Sequence, residues 1–356
     1  MKVRNALLNS LRIIWSIAKI GIVLFIIFVG YTYLTDYSPS EKQPLELRHS
    51  AIASKKIDSS FSLLTWNLGY GGLGAGMDFF YDGGEHVRPS IAEHRKYRKG
   101  IRDFLLAHDS IDIMLFQEVD RNSGRTYSYN QVFHLVDTLQ NYYSIFAKNY
   151  DVPFVPLPVT DPLGRIDAGM LTLSRMRPMM SYRYALPQVY PWPKNLFMLD
   201  RAFIMSTFPL PGKSDLVVMN IHNSAYVEEK EAREQELERI QHVALGEFEK
   251  GNYVVIGGDW NQNPPGYEAG AFRGGQTLAF SLKENFIGED WKFAFDADSP
   301  TNRSLKSPLS DDTEKTIIDF YLLSPNLKKI DVRVLEQNFA HSDHEPVYLK
   351  VKLNPR

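Results

Sequence analysis

Asp343 and His344 place a carboxylate and an imidazole side by side near the C-terminus of this 356-residue chain. They come shortly before the apolar run that begins at Val347, which predicts a final β-strand. A carboxylate and an imidazole at a strand edge can bind a metal-bound phosphate and move a proton within one small volume. Asp and Ser also form ordinary turns, so a site requires further polar groups nearby.

Five further positions carry acidic, amide or imidazole side chains at or near predicted strands. They are Asn67, Glu118, His222, the pair Asp259 and Asn261, and Asp319. All follow predicted strands except Asp319, which lies inside one. In layered α/β proteins, active groups gather where strand ends meet at one edge. We therefore expect these residues and the Asp343–His344 pair to form one site.

Most of these residues also have an ordinary structural explanation when each is taken alone. Asn67 can be a turn residue, and Asp259 with Asn261 can form an Asx turn. Glu118 can pair with a nearby arginine, and His222 can be a hydrogen-bonded core histidine.

Asp319 is harder to explain structurally, because it lies in the apolar run Thr316–Leu323. A buried carboxylate needs a partner, and a histidine is well suited to be one. Taken together, the positions favour a functional site.

The elements that must position this site alternate between strand-like and helix-like segments from Phe61 onward. Several strands are apolar on both faces, as expected for strands buried between layers. The predicted strands are Phe61–Trp66, Ile111–Phe116, Gly169–Leu173, Ala202–Phe208, Leu216–Ile221, Tyr253–Ile256, Thr316–Leu323 and Val347–Val351. The predicted helices are Ser90–Ala107, Tyr129–Leu139 and Val227–Glu249, the last with a charged, solvated face.

Composition and charge exclude several classes of protein. The hydrophobic content of 44% is enough for a large core, and the formal net charge of −2 does not indicate nucleic acid as the partner. The sequence shows no basic helix of the kind that enters a nucleic-acid groove. Cysteine is absent, which excludes disulfides, thiolate catalysis and zinc fingers.

The N-terminal segment is apolar enough to predict a membrane anchor. Residues 1–10 form a basic N-terminus, 11–34 a transmembrane signal anchor, 35–60 a polar linker and 61–356 the catalytic domain. Basic residues precede the apolar run and acidic residues follow it, so the positive-inside rule places the N-terminus in the cytoplasm. Lys19 interrupts the run and can snorkel to the interface. A cleaved signal peptide and a buried core helix are the alternatives.

The motifs together resemble the endonuclease/exonuclease/phosphatase superfamily, which includes DNase I-like nucleases, inositol polyphosphate phosphatases and bacterial sphingomyelinases. The resemblance runs in the family's order over residues 61–352. It rests on Thr65-Trp66-Asn67, Phe116-Gln117-Glu118-Val119, Asn220-Ile221-His222, Gly257-Gly258-Asp259-Trp260-Asn261, Ile318-Asp319-Phe320 and Ser342-Asp343-His344. It implies an α/β fold, a four-layer α/β/β/α sandwich of two packed mixed sheets, here preceded by one transmembrane helix.

The resemblance also implies a divalent metal, Mg²⁺ with Mn²⁺ as a substitute, at the shared end of the sheets. Glu118 resembles the family's principal metal ligand. Asn67 and Asp343 resemble the groups beside it that touch metal, water or phosphate. These oxygen donors are of the kind that hard cations prefer.

By the same resemblance, Asp259 is the group that orients or deprotonates the attacking water, held by Asn261. Asp319 resembles the partner that orients His344. His222 resembles a second phosphate contact or acid. In one branch of the family that histidine has a carboxylate partner, and Asp167 stands at the corresponding position here.

The sequence departs from the family in two places. Thr316-Ile317 stands where the family commonly has an arginine, and Phe320 replaces a tyrosine. The Pro-rich and aromatic segment from Tyr150 to Asp200 is interpreted as loops at the rim of the site, or equally as irregular packing on the core.

These features predict a membrane-anchored, Mg²⁺-dependent phosphoester hydrolase outside the cytoplasm, in the periplasm of a Gram-negative cell. The substrate is a lipid headgroup or nucleic acid, and no obligate protein partner is evident. An extracytoplasmic nuclease acting on DNA is a close alternative. A catalytically inactive binding domain is a more remote one, because no expected metal carboxylate or histidine is missing.

Overall fold

The computed structural model describes residues 2–49, 55–56, 59–210, 214–225, 230–278 and 280–354. The helices within this part of the chain are α1 Lys2–Leu34, α2 Ile91–Ala107, α3 Gln131–Thr138 and α4 Lys230–Glu249. The strands are β1 Lys42–Pro44, β2 Leu47–His49, β3 Ser60–Asn67, β4 Ile113–Asp120, β5 Tyr143–Val155, β6 Gly164–Ser174, β7 Met180–Ala185, β8 Ala202–Phe208, β9 Leu216–His222, β10 Tyr253–Asp259, β11 Lys292–Ala294, β12 Asn302–Arg303, β13 Lys315–Thr316, β14 Asp319–Leu323, β15 Leu327–Val334 and β16 Val347–Leu353.

Two mixed sheets of seven strands each make up the centre of the molecule. The first sheet has the order β1-β7-β8-β9-β10-β14-β11, and the second has β15-β16-β3-β4-β6-β5-β2. A small two-stranded sheet joins β12 and β13. Only β9–β10 and β3–β4 run parallel among the paired strands described, so each sheet contains one parallel pair at its centre.

Alternating side chains explain why the central strands are apolar on both faces. Leu63 of β3 packs between the sheets with Leu115, Val218 and Val255. The next residue, Leu64, points to the other face and packs under α2.

Helices cover the outer face of each sheet. The helices α2 and α3 lie on the second sheet through Ile101, Leu105 and Leu135. The helix α4 lies on the first sheet through Ile240 and Ala244. This arrangement confirms the predicted four-layer α/β/β/α sandwich.

A capping box fixes the start of α2. The Ser90 hydroxyl accepts a hydrogen bond from the backbone N–H of Glu93, and the Glu93 side chain accepts one from the backbone of Ser90. This reciprocal pair satisfies two amide groups at the helix start. The predicted helix over 90–107 is therefore confirmed, with Ser90 as its cap.

One predicted strand, Thr316–Leu323, is divided in the structure. Thr316 belongs to β13, and a new strand, β14, begins at Asp319. The Thr301 hydroxyl accepts the backbone N–H groups of Ile318 (2.9 Å) and Asp319 (3.0 Å), which replaces the pairing of a continuous strand. The break places Asp319 at a strand start instead of a strand centre.

Three long or medium strands were absent from the sequence prediction: β5, β7 and β15. Their polar and charged residues hide the apolar alternation, as in the segment from Tyr143 to Val155. The segment from Tyr150 to Asp200, interpreted as rim loops, therefore contains the end of β5, all of β6 and all of β7. The loop interpretation is correct only for the connections between these strands.

The segment predicted as a polar linker also contains structure. Strand β1 pairs with β7 at the edge of the first sheet, and β2 pairs with β5 at the edge of the second. Residues 50–54 and 57–58 of the predicted linker lie outside the described residues, as do residues 227–229 of the predicted helix 227–249.

The N-terminal helix is long and apolar enough over Leu7–Leu34 to cross a membrane. Its side chains are almost entirely exposed, because only 6% of its most apolar window is buried within the protein. That exposure argues against the alternative of a buried core helix. Only the end near Val29 and Thr32 is buried, where α1 meets the domain.

A buried polar contact connects the two sheets beneath their shared edge. The Gln117 amide on β4 donates to Asn220 Oδ1 on β9 at 2.7 Å. The Asn220 amide donates in turn to the carbonyl oxygens of Phe116 and Leu171, each at 3.3 Å. Both side chains are fully buried, and the Gln117 amide is the donor that satisfies the Asn220 side-chain oxygen.

We predict that Gln117 and Asn220 are energetically coupled. Asn220→Leu or Gln117→Leu alone should lower the free energy of unfolding by about 2–4 kcal/mol, because each leaves a buried polar group unpaired. The double variant should lose less than the sum of the two. Chemical denaturation of the four proteins in detergent measures this, and additive losses would contradict the coupling.

Candidate active site

The predicted site residues converge where the two sheets share one end. Asn67, His222 and Asp259 are the last residues of β3, β9 and β10, and Asp319 is the first residue of β14. They line or adjoin a pocket of about 380 Å³ together with residues of the surrounding loops. The strand-end prediction therefore brings side chains from both sheets to one place.

Asn67 connects carboxylates on the two sheets. Its amide nitrogen donates to Glu118 Oε1 (3.1 Å) on the second sheet and to Asp259 Oδ2 (3.0 Å) on the first. Its oxygen accepts the backbone N–H of Gly69 at 3.0 Å. Because the nitrogen faces the carboxylates, this arrangement favours a positioning role for Asn67 over the predicted role as a metal ligand.

Glu118 reaches the pocket because β4 is irregular at this point. Its φ is +50°, and the pairing of β4 with β6 shifts register between Phe116 and Val119. Such bulges redirect a side chain at functional sites. The Glu118 side chain is 27% exposed while the strand around it is buried, so its carboxylate can take a ligand from the pocket.

Gly69 is required at its position for steric reasons. Its φ is +46°, and a Cβ there would lie 2.7 Å from Asp343 Oδ1. A glycine therefore allows the turn after β3 to pass close to the Asp343 carboxylate.

Asp319 and His344 form a direct hydrogen bond between the sheets. Asp319 Oδ2 lies 2.8 Å from His344 Nδ1, and Asp319 is fully buried. His344 is also held through its backbone, because its carbonyl oxygen accepts the Trp66 indole N–H at 2.8 Å. The predicted pairing of this carboxylate with this histidine is present in the structure.

Charge around His344 favours its protonated form. Burial lowers the pKa of His344, but Asp319, Asp343 and Asp259 outweigh burial and raise that pKa well above its ordinary value. His344 Nε2 faces the pocket and lies 3.0 Å from the Asn302 amide and 3.8 Å from Asp259. An imidazolium here can stabilise negative charge that develops on a bound phosphate.

Asp259 has the properties of a general base. Burial, followed by the charge of Asp319, raises the pKa of Asp259 to about 7. Its Oδ1 accepts the backbone N–H of Asn261 at 2.9 Å. The Asn261 side chain donates to the carbonyl oxygen of Asn223 at 2.8 Å, which fixes this turn. A carboxylate with a pKa near neutrality can accept a proton efficiently.

His222 is buried beside Asp259 and is neutral. Burial lowers the pKa of His222 well below its ordinary value, and the charges of Arg201 and His344 lower it further. Its Nε2 lies 3.6 Å from Asp259 Oδ2, and its Nδ1 has no hydrogen-bond partner among the described residues. A neutral imidazole fits the predicted phosphate contact better than the predicted acid.

The tentative partner of His222, Asp167, lies elsewhere. Its carboxylate accepts two hydrogen bonds from the Arg121 guanidinium, at 3.2 and 3.0 Å. Asp167 is on β6 and does not line the pocket; Arg121 and Lys148 supply the charge opposite it, and His222 Nδ1 has no partner among the described residues. The prediction that Asp167 orients His222 is therefore wrong.

Two pocket carboxylates have raised pKa values for a shared reason. Burial and the nearby Glu118 raise the pKa of Asp343 to about 6, against the lowering effects of His344 and Arg303. Burial, Asp343 and Glu118 raise the pKa of Asp82 to about 7. Sequence analysis missed Asp82, Asn302 and Arg303, because they lie in loops or short strands that no apolar run marks.

The family comparison agrees with this geometry. A model described as "Endonuclease/Exonuclease/phosphatase family" matches residues 64–344. The chain belongs to the endonuclease/exonuclease/phosphatase family. Members of this family are phosphoester hydrolases, so the chain is an enzyme of that class. No curated protein sequence matches the chain.

Solved structures of the family share the fold at low sequence identity. An endonuclease/exonuclease/phosphatase from Beutenbergia cavernae has 16% identity and a TM-score of 0.55, covering 83% of this chain and 72% of that one. A family member from Bacteroides vulgatus has 19% identity and a TM-score of 0.52, covering 83% and 100%. D. rerio TDP2, complexed with single strand DNA product, has 14% identity and a TM-score of 0.51, covering 83% and 99%.

The donor set suits the divalent metal that this family generally uses. One oxygen or nitrogen each of Asp259, Asp319 and His344 lies within 4.8 Å of the others. Asp319 and His344 already bond each other, and Glu118, Asp259 and Asp343 supply the carboxylates that line the pocket. Hard oxygen ligands and crowded negative charge fit Mg²⁺ or Mn²⁺.

We predict that Asp319 and His344 of this family member act as one unit. Asp319→Asn and His344→Ala should each lower turnover by about 10²–10⁴-fold, and the double variant should be little worse than the worse single one. Because Asp319 raises the pKa of His344, the alkaline limb of the pH–rate profile should move to lower pH in Asp319→Asn. The pairing would be contradicted if the losses of the two single variants multiplied in the double variant and the alkaline limb of the Asp319→Asn profile did not move.

Proposed function

We propose that the protein is a membrane-anchored, divalent-metal-dependent phosphoester hydrolase that uses an activated water. The observation that carries this proposal is the gathering of Glu118, Asp259, Asp343 and His344 in one buried pocket at the junction of the sheets. Glu118 and Asp343 would hold the metal, which when bound neutralises phosphate charge and lowers the pKa of coordinated water.

The remaining residues perform the proton transfers. Asp259 accepts the proton of the attacking water while the water oxygen forms its bond to phosphorus and the bond to the leaving oxygen breaks. Asn67 and Asn261 hold the Asp259 carboxylate for this step. The His344 imidazolium, held by Asp319, stabilises the negative phosphoryl oxygens. His222 contributes a neutral N–H contact to phosphate.

The proposed activity predicts dependence on a divalent cation. The full-length protein in detergent should hydrolyse at least one member of a substrate panel with Mg²⁺ or Mn²⁺ and lose that activity in excess chelator. The panel contains sphingomyelin, phosphatidylinositol phosphates, plasmid DNA and a chromogenic phosphodiester. Full activity in chelator would refute the metal requirement.

A matched pair of variants separates the metal site from general charge effects. Glu118→Gln should lower activity at limiting Mg²⁺ by about 10–10³-fold, because one anionic ligand is lost. Glu284→Gln removes an equal charge at an exposed position outside the pocket and should leave activity and its Mg²⁺ dependence unchanged. Equal effects of the two variants would contradict the assignment.

A nuclease remains the second candidate, and one surface favours it. The helix α2 is nevertheless rich in basic residues, with Arg95, Lys96, Arg98, Lys99 and Arg102. Four of these cations, with His134 of α3, line a groove of about 390 Å³ between the two helices. A phosphate backbone could bind there. This candidate would be supported if the protein cleaved DNA but did not hydrolyse lipid substrates, and if Arg95→Ala/Arg102→Ala lowered the rate of DNA cleavage.

The proposed location is extracytoplasmic, with the N-terminus in the cytoplasm. The absence of cysteine allows single-cysteine variants to test this. With a membrane-impermeant maleimide, Ile330→Cys in the catalytic domain should be labelled in intact spheroplasts. Ser10→Cys should be labelled only after permeabilisation, because the positive-inside rule keeps this end in the cytoplasm. The reverse labelling pattern would show an inverted topology.

A further inference from the structure

The pocket wall and the end of the N-terminal helix share the same two segments. One is the hairpin formed by β5 and β6, and the other is the turn that ends at Phe197. Strand β6 pairs with β4 only as far as Ala168, but it stays paired with β5 as far as Gly164. The hairpin therefore projects beyond the end of β4 that carries Glu118.

One side of these segments lines the catalytic pocket. Tyr150 and Leu163 come from the hairpin, and Met198 and Leu199 follow the turn. The Tyr150 hydroxyl donates to the carbonyl oxygen of Phe197 at 3.0 Å, which joins the two segments. The wall is thus one connected unit.

The other side of the same segments contacts α1. The Phe28 ring of α1 stacks on Phe197 with centroids 5.6 Å apart, and meets Phe154 edge-on at 6.2 Å. Val29 and Thr32 are buried in the same contact. The helix end and the pocket mouth are therefore separated by the thickness of this wall.

Exposed apolar side chains surround this contact. We call Phe154, Leu157, Val159 and Trp192 the apolar collar; they are 41%, 46%, 82% and 64% exposed. All four belong to the projecting hairpin or the turn region before Phe197. An exposed apolar set of this kind marks an interaction surface, and Trp is enriched where proteins meet the lipid headgroup region.

The length of the anchor places the collar at the bilayer. The apolar part of α1 begins at Leu7, and its contact with the domain begins at Phe28. The residues from Leu7 to Ile27 extend about 32 Å at 1.5 Å per residue, which is enough to cross a hydrocarbon core of about 30 Å. Because the domain contacts α1 directly after this span, the contact at Phe28 lies at the outer surface of the bilayer. Phe154 of the collar contacts Phe28, and Leu157 and Val159 follow Phe154 in the loop between β5 and β6, so this part of the domain lies nearest the lipid.

We propose that the apolar collar inserts into the outer leaflet beside α1 and holds the pocket mouth against the lipid headgroups. The preferred substrate is then a phosphoester carried by a membrane lipid. This inference rests on the proposed hydrolase function for its substrate, but its bilayer contact stands on the anchor and the collar alone.

Collar insertion can be measured without any activity assay. A nitroxide label on Val159→Cys in the full-length protein, reconstituted in phosphatidylcholine and phosphatidylglycerol vesicles, should collide more with oxygen than with an aqueous nickel chelate. The same label on Ile330→Cys, exposed on β15, should show the reverse. Equal access of the nickel chelate to both labels would overturn the proposal.

A second experiment tests the substrate class. Leu157→Ser/Val159→Ser should lower hydrolysis of a vesicle-borne phospholipid by about tenfold. A loss of this size corresponds to part of the free energy gained when two apolar side chains are buried in lipid. It should leave a soluble chromogenic phosphodiester unchanged. Met179→Ser/Met180→Ser removes two exposed apolar groups at the start of β7, outside the collar, and should change neither rate.

The outcomes separate this inference from the proposed function. A wild-type protein that hydrolyses nothing contradicts the hydrolase function, whereas the label experiment still decides the bilayer contact. A different result would be a collar variant that loses equal activity on vesicle-borne and soluble substrates while it keeps the circular dichroism of the wild type. That result would show that the collar acts on the pocket alone, and it would overturn the proposed substrate class.

Discussion

The concentration of buried negative charge at the junction of the two sheets is the constraint on which the site depends. Asp259, Asp319 and Asp343 are all nearly or fully buried, and Glu118 lies beside them. Raised pKa values of about 7 for Asp259 and about 6 for Asp343 show the cost of this crowding. Because unfolded aspartates titrate near pH 4, the folded state loses stability from these two groups as pH rises from about 4 to about 7. A bound cation would offset that loss, so the same crowding that weakens the fold creates affinity for metal.

The site is assembled across the interface between the sheets, so the packing of the sheets fixes its geometry. Asn67 reaches Asp259 across this interface, and Asp319 reaches His344. A small shift between the layers would break both contacts. The Gln117 amide beneath them bonds the opposite sheet in the same way. If the two sheets slid past each other, the catalytic groups would lose their relative positions. The buried hydrogen bonds between the sheets oppose sliding, because breaking them weakens the hydrogen bonding of buried polar groups.

Sequence periodicity predicted the central strands and placed most of the site at their ends, because central strands buried on both faces leave continuous apolar runs. The four-layer arrangement was implied by the resemblance to the family. Periodicity failed where the signal is not local. Strands next to the sheet edges, such as β5 and β7, carry polar residues, and Asp82 reaches the pocket from a short 3-10 helix, Phe80–Asp82. Asp167 precedes an apolar strand segment as expected of a partner for His222, but Arg121 lies closer and supplies a full charge. The pairing of Asp319 with His344 was predictable, because a carboxylate within an apolar run requires a buried partner.

The wall formed by the β5–β6 hairpin contacts both the catalytic pocket and the N-terminal helix. Tyr150 faces the pocket, and its hydroxyl is bonded to the residue on which Phe28 of α1 stacks. If α1 is a membrane anchor, as proposed, any tilt of this helix acts on the same wall that lines the pocket beside Glu118 and Asp343. A tethered enzyme gains effective concentration only towards substrates within reach of its tether. Here the end of the helix packs directly on the pocket wall, so almost no flexible chain separates the anchor from the pocket. The position of the pocket beside the anchor would then favour substrates held at the membrane surface. No residue dedicated to a particular headgroup would be needed for this preference.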